Sequence, residues 1–347
     1  MPKYLILAEG FSGDPHYGKT MWGVLRYRRD DVVAILDKTR AGETTEGVPV
    51  VGTVEDALRF GPDTALVGVA TQGGRFPPAW LELLRECIRN GLSVENGLHV
   101  FLSDDPEFAE LAARHGVELR DLRKPPPDLS TATGENLSVP ATIILTVGSD
   151  CAIGKMTATL ELDLEARRRG LGSVFVPTGQ TGIAIAGWGI AVDAVVSDFL
   201  AGAAERLVVE GYRRGGELLW VEGQGSLTHP VYSGVTLGLM HGSAPHVYVL
   251  CHAAGHTHIE GAGGGPHPLL SLAELVELHE RISLPARPAS VACVALNTRL
   301  LDEEEARRAI LEAEQETGLP ADDPVRYGAG RLLDAVLERA PAAITAA

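Results

Sequence analysis

The chain has 347 residues, of which 45% are hydrophobic and 22% charged, a composition typical of a globular protein with two domains. Its formal net charge of −16 argues against a nucleic-acid partner, because nonspecific binding to phosphates needs a basic surface. No apolar run reaches bilayer-spanning length and Met1-Pro2-Lys3 leads directly into a strand pattern, so we expect a cytoplasmic protein with no membrane contact.

The first third of the chain alternates short apolar runs with longer amphipathic segments. The predicted strands are 4–8, 32–36, 65–70 and 92–94, and the predicted helices are 20–28, 53–60, 78–90 and 106–115. Such alternation is typical of a parallel sheet that is covered by helices on both faces. We therefore expect an α/β, Rossmann-like domain over residues 1–122.

A proline-rich stretch separates this region from a second one of the same kind. Residues 123–140 include Lys124-Pro125-Pro126-Pro127 and lack a periodic apolar pattern, which predicts a linker. Beyond it, the predicted strands are 142–147, 173–176, 218–221, 246–250 and 290–296, and the predicted helices are 157–169, 198–213, 271–283 and 302–316. We expect a second α/β domain over residues 141–347.

A glycine-rich segment connects the strand that ends at Val147 to the next helix. Its residues, which we expect to contact the phosphates of a cofactor, are Gly148, Ser149, Asp150, Cys151, Ala152, Ile153, Gly154, Lys155, Met156 and Thr157. Glycines let the loop turn its N–H groups inward, the helix N-terminus adds a positive dipole end, and Lys155 adds a charge. The segment predicts a P-loop NTPase-like domain that binds a nucleotide or a nucleotide-containing cofactor.

The loop departs from the common P-loop pattern in two ways. Five residues separate Gly148 from Gly154, and Met156 stands where Ser or Thr normally holds magnesium. The longer loop resembles that of dethiobiotin synthetase and its relatives. If magnesium is used, Thr157 and Glu222 are the candidate ligands, since Glu222 follows a predicted strand in the position of a Walker-B acid. Alternatively, Glu222 only forms hydrogen bonds with the P-loop backbone or with Thr157.

Further polar residues follow the other predicted strands of the second domain. The carboxyl ends of parallel strands share one crevice, so we expect these residues near the P-loop. Lys155, Glu222 and His252 are the candidate catalytic residues. Thr178 to Gly182 predicts a substrate-binding loop, and the candidate substrate-binding residues of this half are Thr178, Gly179, Gln180, Thr181 and Gln224.

The first domain contains a Gly-Lys-Thr of its own. Residues 13–20 match the Walker pattern in letters, but Pro15 removes an amide that a phosphate cradle uses. Lys19, Thr20, Arg40 and Arg75 follow predicted strands and form a set suited to an anionic small molecule. Asp37 stands where a Rossmann-like domain would hold a ribose hydroxyl.

The order of these motifs resembles one protein family. Lys19-Thr20, Gly148 to Lys155, Thr178 to Gly182 and Glu222 to Leu227 match its pattern of a Rossmann-like domain followed by a P-loop domain. The family was long a domain of unknown function, and some members are D-glutamate N-acetyltransferases. The resemblance implies an acyltransferase of D-amino acid metabolism that uses acetyl-CoA, whose phosphates the P-loop holds.

Two other functions remain open from the residues. One is an ATP-dependent ligase or kinase that uses ATP with magnesium and activates a carboxylate, as dethiobiotin synthetase does. The other is a nucleotide-binding sensor without turnover. In the leading hypothesis the partner is a small amino-acid substrate, and we expect a homo-oligomer.

Overall fold

A computed structural model describes residues 2–14, 17–70, 74–261, 263 and 265–341. The chain forms two compact units, Met1–Pro125 with Gly179–Ala194, and Pro126–Thr178 with Val195–Ala347. Both contain helices and a sheet of mostly parallel strands, which confirms the predicted α/β class. The division differs from the predicted one because residues 179–194, expected in the second domain, belong to the first unit.

The strands are short and most are buried. In chain order they are β1 (Tyr4–Leu7), β2 (Val32–Leu36), β3 (Thr44–Thr45), β4 (Val48–Val51), β5 (Thr64–Val67), β6 (Ser93–Asn96), β7 (Leu119–Asp121), β8 (Thr142–Gly148), β9 (Ser173–Val176), β10 (Leu218–Val221), β11 (Val247–Ala253), β12 (Ser290–Asn297) and β13 (Ala321–Asp322).

The helices fall mostly between consecutive strands, as a parallel sheet requires. In chain order they are α1 (Lys19–Tyr27), α2 (Val54–Leu58), α3 (Pro78–Arg89), α4 (Pro106–His115), α5 (Lys155–Arg168), α6 (Gln180–Ala186), α7 (Ser197–Arg213), α8 (Ser233–Ser243), α9 (Leu272–Arg281), α10 (Glu303–Thr317) and α11 (Gly330–Arg339). None of the helices in the described ranges is long and apolar enough to cross a bilayer.

The sheet of the first unit has the strand order β3-β4-β2-β1-β5-β6-β7 among the described residues. Its neighbours pair in parallel except β3, which runs antiparallel to β4. Helix α6 packs into the same core, where Ile183 and Ala184 join Met21 and Val24 of α1. The packing of Ile183 and Ala184 against α1 explains why residues 179–194 belong to the first unit.

The sheet of the second unit has the order β13-β12-β11-β8-β10-β9 over the described ranges, and all of these neighbours pair in parallel. β8 lies in the interior of this sheet, and all seven of its residues are buried. A parallel strand that is covered on both faces is mostly apolar. The end of β8 therefore places the P-loop at the middle of the sheet's carboxyl edge.

The second half of the predicted linker is packed against the second unit. The carboxylate of Glu205 on α7 accepts hydrogen bonds from the N–H groups of Thr133 and Gly134, at 2.7 and 2.6 Å. Asn136, which is buried, donates to the carbonyl of Gly242 at 2.7 Å. Residues 126–140 thus have tertiary contacts of their own, although their prolines and polar residues are typical of a linker.

Buried histidines predict that stability falls as the pH falls. Burial lowers the pKa of His279 on α9 to about 4, and the side chain is fully buried. The folded state resists protonation that the unfolded chain accepts near pH 6.5, so stability is complete above that pH and is lost toward pH 4. Between pH 7.5 and pH 5 this difference lowers the free energy of unfolding of the wild type by on the order of 2 kcal/mol. We expect the His279→Phe variant to lack this part of the decrease.

Chemical denaturation at the two pH values measures this decrease. His115→Gln, at an exposed position, is the control and should leave the decrease as in the wild type. An equal decrease in His279→Phe and in the wild type would contradict the assignment.

Candidate active site

The P-loop connects β8 to α5 through residues 149–154. Ala152 and Gly154 have φ angles of 54° and 110°, so both lie in the left-handed region that turns a loop back on itself. Lys155 begins α5, a helix of 14 residues, and the N-terminus of a helix favours anions. The structure has the strand, loop and helix that the phosphate-binding prediction requires.

The ammonium group of Lys155 lies inside this loop. The side chain is buried, and Nζ donates a hydrogen bond to the carbonyl oxygen of Asp150 at 2.6 Å. Burial lowers the pKa of Lys155, while nearby Cys151 and Cys251 oppose that shift. A desolvated ammonium group costs free energy, which contact with an anionic ligand would offset.

The side chain of Asp150 fixes a second loop to the P-loop. Asp150 is fully buried, and its carboxylate accepts hydrogen bonds from the N–H groups of Cys151 and Glu260, at 2.6 and 2.8 Å. His229 Nε2 lies 3.3 Å from the carbonyl oxygen of the same Glu260. The segment after β11 is therefore held at the P-loop through the backbone of Glu260.

Asp150, Cys151 and His229 bring their potential metal ligand atoms within 4.8 Å of one another. The hydrogen bond from the N–H of Val231 to His229 Nδ1, at 3.1 Å, assigns the proton of the neutral ring to Nε2. A protonated Nε2 donates to the Glu260 carbonyl and has no lone pair for a metal ion. The geometry therefore fits a hydrogen-bonded histidine better than a metal ligand.

His252, at the end of β11, pairs with a P-loop hydroxyl. Its Nδ1 lies 2.9 Å from Ser149 Oγ, and Ser226 Oγ donates to the Ser149 carbonyl at 3.0 Å. Burial is the main cause that lowers the pKa of His252 to about 4, and the charge of His256 is a second cause. The imidazole is therefore neutral at neutral pH and is one candidate for a proton acceptor.

Glu222 takes part in a hydrogen-bond network after β10. Its Oε2 accepts from the N–H of Thr178 at 2.9 Å, and Thr178 Oγ1 donates to the Glu222 carbonyl at 2.7 Å. Gln224 Nε2 donates to the Thr178 carbonyl. This network supports the alternative of a carboxylate that organises backbone, with Thr178 among its partners.

Four predicted substrate residues lie close together in the first unit. Thr20 Oγ1 and Thr181 Oγ1 are 2.9 Å apart and both side chains are buried. Lys19 and Gln180 are their chain neighbours and begin α1 and α6. The predicted substrate-binding loop Thr178 to Gly182 is thus partly wrong as a structural element, because a helix begins at Gln180.

Arg40, Arg75 and Asp37 are the remaining residues of the first unit that were predicted to contact a ligand. Arg40 donates to Ser12 Oγ at 3.2 Å and to Glu43 Oε2 at 2.9 Å, whereas Arg75 is exposed. Asp37 is fully buried, and its carboxylate accepts from N–H and hydroxyl groups of Gly10, Ser12 and Thr39. A carboxylate with so many internal partners does not fit the expected ribose contact. Pro15 lies outside the described residues.

Arg123 contacts a predicted substrate-binding residue, although no sequence pattern singles it out. It lies at the start of the predicted linker, follows β7 and is 3% exposed. Its guanidinium donates to Gln180 Oε1 at 3.1 Å and to Asp193 Oδ2 at 2.6 Å. β7 has only three residues, too few for an alternating pattern, so the rule that polar residues follow strands had no strand to start from.

Comparisons with known proteins agree with the two-unit architecture. A family model described as the P-loop domain of a domain of unknown function, DUF1611, matches residues 130–333. A second model, the Rossmann-like N-terminal domain of the same family, matches residues 37–125. The crystal structure of a DUF1611 family protein from Anabaena variabilis has a TM-score of 0.89 and 39% identity, and covers 97% of this chain and 100% of that chain.

Two curated relatives have the same printed name. A D-glutamate N-acetyltransferase of Tritonibacter scottomollicae is 38% identical over 336 residues, which are 95% of this chain and 97% of the relative. A D-glutamate N-acetyltransferase of a Pseudoalteromonas species is 35% identical over 274 residues, 79% of this chain and 81% of the relative. The predicted Rossmann-like and P-loop domains and the predicted family resemblance are confirmed. This chain belongs to the DUF1611 family.

Proposed function

We propose that this protein is an enzyme that transfers the acetyl group of acetyl-CoA to the amino group of D-glutamate. The observation that carries the proposal is the relative named D-glutamate N-acetyltransferase, which aligns over 97% of its own length at 38% identity. Identity over both units means that the two chains share the P-loop unit as well as the Rossmann-like unit.

The P-loop suits a cofactor whose phosphates are held but not cleaved. Coenzyme A contains a 3′-phosphate and a 5′-diphosphate, which backbone N–H groups of residues 148–157 and the ammonium of Lys155 can bind. Met156 supplies no hydroxyl for magnesium, which hydrolysis of ATP would normally require. If magnesium is nevertheless used, Thr157 and Glu222 remain the proposed ligands.

The first unit supplies groups for the carboxylates of an acidic amino acid. Lys19 contributes a cation, while Thr20, Gln180 and Thr181 contribute hydroxyl and amide donors beside it. Arg40 and Arg75 stay in the proposed substrate-binding set, and so do Thr178, Gly179 and Gln224 of the chain after β9 and β10.

N-Acetylation needs a proton acceptor and donors for an oxyanion. The amine attacks the thioester carbonyl, the C–S bond breaks, and the ammonium proton leaves while the CoA sulfur is protonated. His252 is neutral, since its pKa is about 4, so its lone pair is available at every physiological pH. A base this weak acts on the tetrahedral adduct, whose ammonium is more acidic than that of the free amino acid. Backbone N–H groups and Gln224 are candidate oxyanion donors.

A direct assay tests the proposal. The protein is incubated with acetyl-CoA and with the D and L forms of glutamate and aspartate, and CoA thiol and N-acetyl products are measured by a thiol reagent and mass spectrometry. We expect both products with D-glutamate. No CoA release with any acidic amino acid would overturn the proposal, and ADP formation from ATP with a carboxylate would favour the ligase alternative that the position of Glu222 suggests.

A further inference from the structure

Arg123 is a buried cation with an incomplete set of partners. Its side chain is 4% exposed, and its ion-pair partner Asp193 is 32% exposed. Its Nε has no hydrogen-bond partner among the described residues. A buried guanidinium is unfavourable unless it is paired and fully hydrogen-bonded, so burial of Arg123 lowers the stability of the folded state.

The hydrogen bond from Arg123 orients the carboxamide group of Gln180. A guanidinium only donates hydrogen bonds, so the atom of Gln180 that lies 3.1 Å from Nη1 is the amide oxygen. The amide nitrogen is then on the other side of the carboxamide from Arg123, and within the described ranges no hydrogen bond of this nitrogen is recorded. The stem of Gln180 lies close to Gly97, since a Cβ atom built at Gly97 would be 3.1 Å from Gln180 Cγ.

The surroundings of Gln180 favour an anion. Burial lowers the pKa of His99, and the positive charges of Arg123 and Lys19 lower it further, so both cations act on the same region of the unit. Thr20 and Thr181 add hydroxyl groups next to Lys19 and Gln180 along the chain. The carboxylate of Asp193 has the opposite effect and raises the pKa of His99.

We propose that Arg123 is a positioning residue for the acyl acceptor: it fixes the side chain of Gln180 so that the amide nitrogen donates to a carboxylate of the acidic amino acid beside Lys19. This inference rests on the proposed function. It adds a residue that touches no substrate and acts through Gln180.

Steady-state kinetics of four variants test the proposal. We expect Arg123→Gln and Gln180→Leu each to raise the KM for D-glutamate at least about tenfold, with the KM for acetyl-CoA within about twofold of the wild type. Because Arg123 acts through Gln180, the double variant should be no worse than the worse single variant. Arg123→Lys keeps one donor for Gln180 Oε1 and should give an intermediate KM.

Arg120→Gln is the matched control. Arg120 lies three residues earlier, pairs with Glu95 and donates to the carbonyl of Gly187 just after α6. Arg120 thus contacts the C-terminal end of α6, whereas Arg123 contacts Gln180 at its N-terminal end. We expect a lower melting temperature and unchanged KM values for Arg120→Gln. An unchanged KM for D-glutamate in Arg123→Gln, multiplicative effects in the double variant, or the same KM increase in Arg120→Gln would overturn the inference.

The two proposals fail in different ways. A wild-type protein that acetylates no acidic amino acid removes the proposed function. An active wild type whose variants keep their KM for D-glutamate removes only the role of Arg123. If Arg123→Gln does not fold, Gln180→Leu and Arg123→Lys decide the question alone, and a wild-type KM in both overturns it.

Discussion

Lys155→Met should raise the dissociation constant for acetyl-CoA by about 100-fold or more, because the charge-assisted hydrogen bonds of an ammonium to phosphate contribute about 1.5–3 kcal/mol each. Methionine keeps the apolar stem that fills the buried space and removes the charge. Isothermal titration calorimetry at a fixed salt concentration measures the change. Equal affinity in wild type and variant would remove Lys155 from the cofactor site.

The same substitution should leave the folded state intact. Lys155 is buried, and burial lowers its pKa, so the folded protein bears a cost for keeping the ammonium out of water. We therefore expect an unchanged or higher melting temperature for Lys155→Met without ligand. Lys19→Met is the matched control, since it alters the other Gly-Lys pair and should leave acetyl-CoA affinity unchanged while raising the KM for the amino acid.

Gly223→Ala should destabilise the second unit by at least about 3 kcal/mol, the upper range for forcing extra volume into a packed site. A Cβ atom at Gly223 would lie 1.7 Å from the carbonyl oxygen of Thr146, a backbone atom that no rotamer change can move. The N–H of Gly223 also donates to Thr146 Oγ1 at 2.9 Å, so the clash breaks the contact between β10 and β8 at the site.

Chemical denaturation measures this loss, and Gly234→Ala is the control. Gly234 lies in α8, and a Cβ atom there would meet nothing within 4 Å. Because alanine favours helix over glycine by about 0.5–1 kcal/mol, the control should be neutral or slightly stabilising. Equal stability of Gly223→Ala and the wild type would show that the loop after β10 can move away from β8.

The sequence predicted β8, β10 and β12 well because each is a mostly apolar run. β8, β10 and β12 were all found to within two residues. β3 and β13 were not predicted, since each has two residues and no pattern can be recognised over that length. α6 was predicted as a loop because its glycines lower helix propensity, whereas burial of Ile183 against α1 outweighs that preference.

The candidate site shows the same limit of sequence analysis. The P-loop was predicted because its chemistry is local and its spacing is readable from the chain. The partnership of Arg123 with Gln180, 57 residues apart, arises only when α6 packs into the first unit. In the same way, its position after the second predicted strand placed Asp37 among ligand-binding residues, and only the structure shows that Ser12 and Thr39 already satisfy its carboxylate.

We propose that the main chain around Lys155 and its ammonium hold the phosphates of the acetyl donor. Comparing acetyl-CoA with acetyl-pantetheine, which carries the same thioester and no nucleotide, in the wild type and in Lys155→Met tests it most directly. We predict that the wild type prefers acetyl-CoA by at least about 100-fold in kcat/KM, that Lys155→Met loses most of this preference, and that both use acetyl-pantetheine equally poorly. An undiminished preference for acetyl-CoA in Lys155→Met would contradict the account.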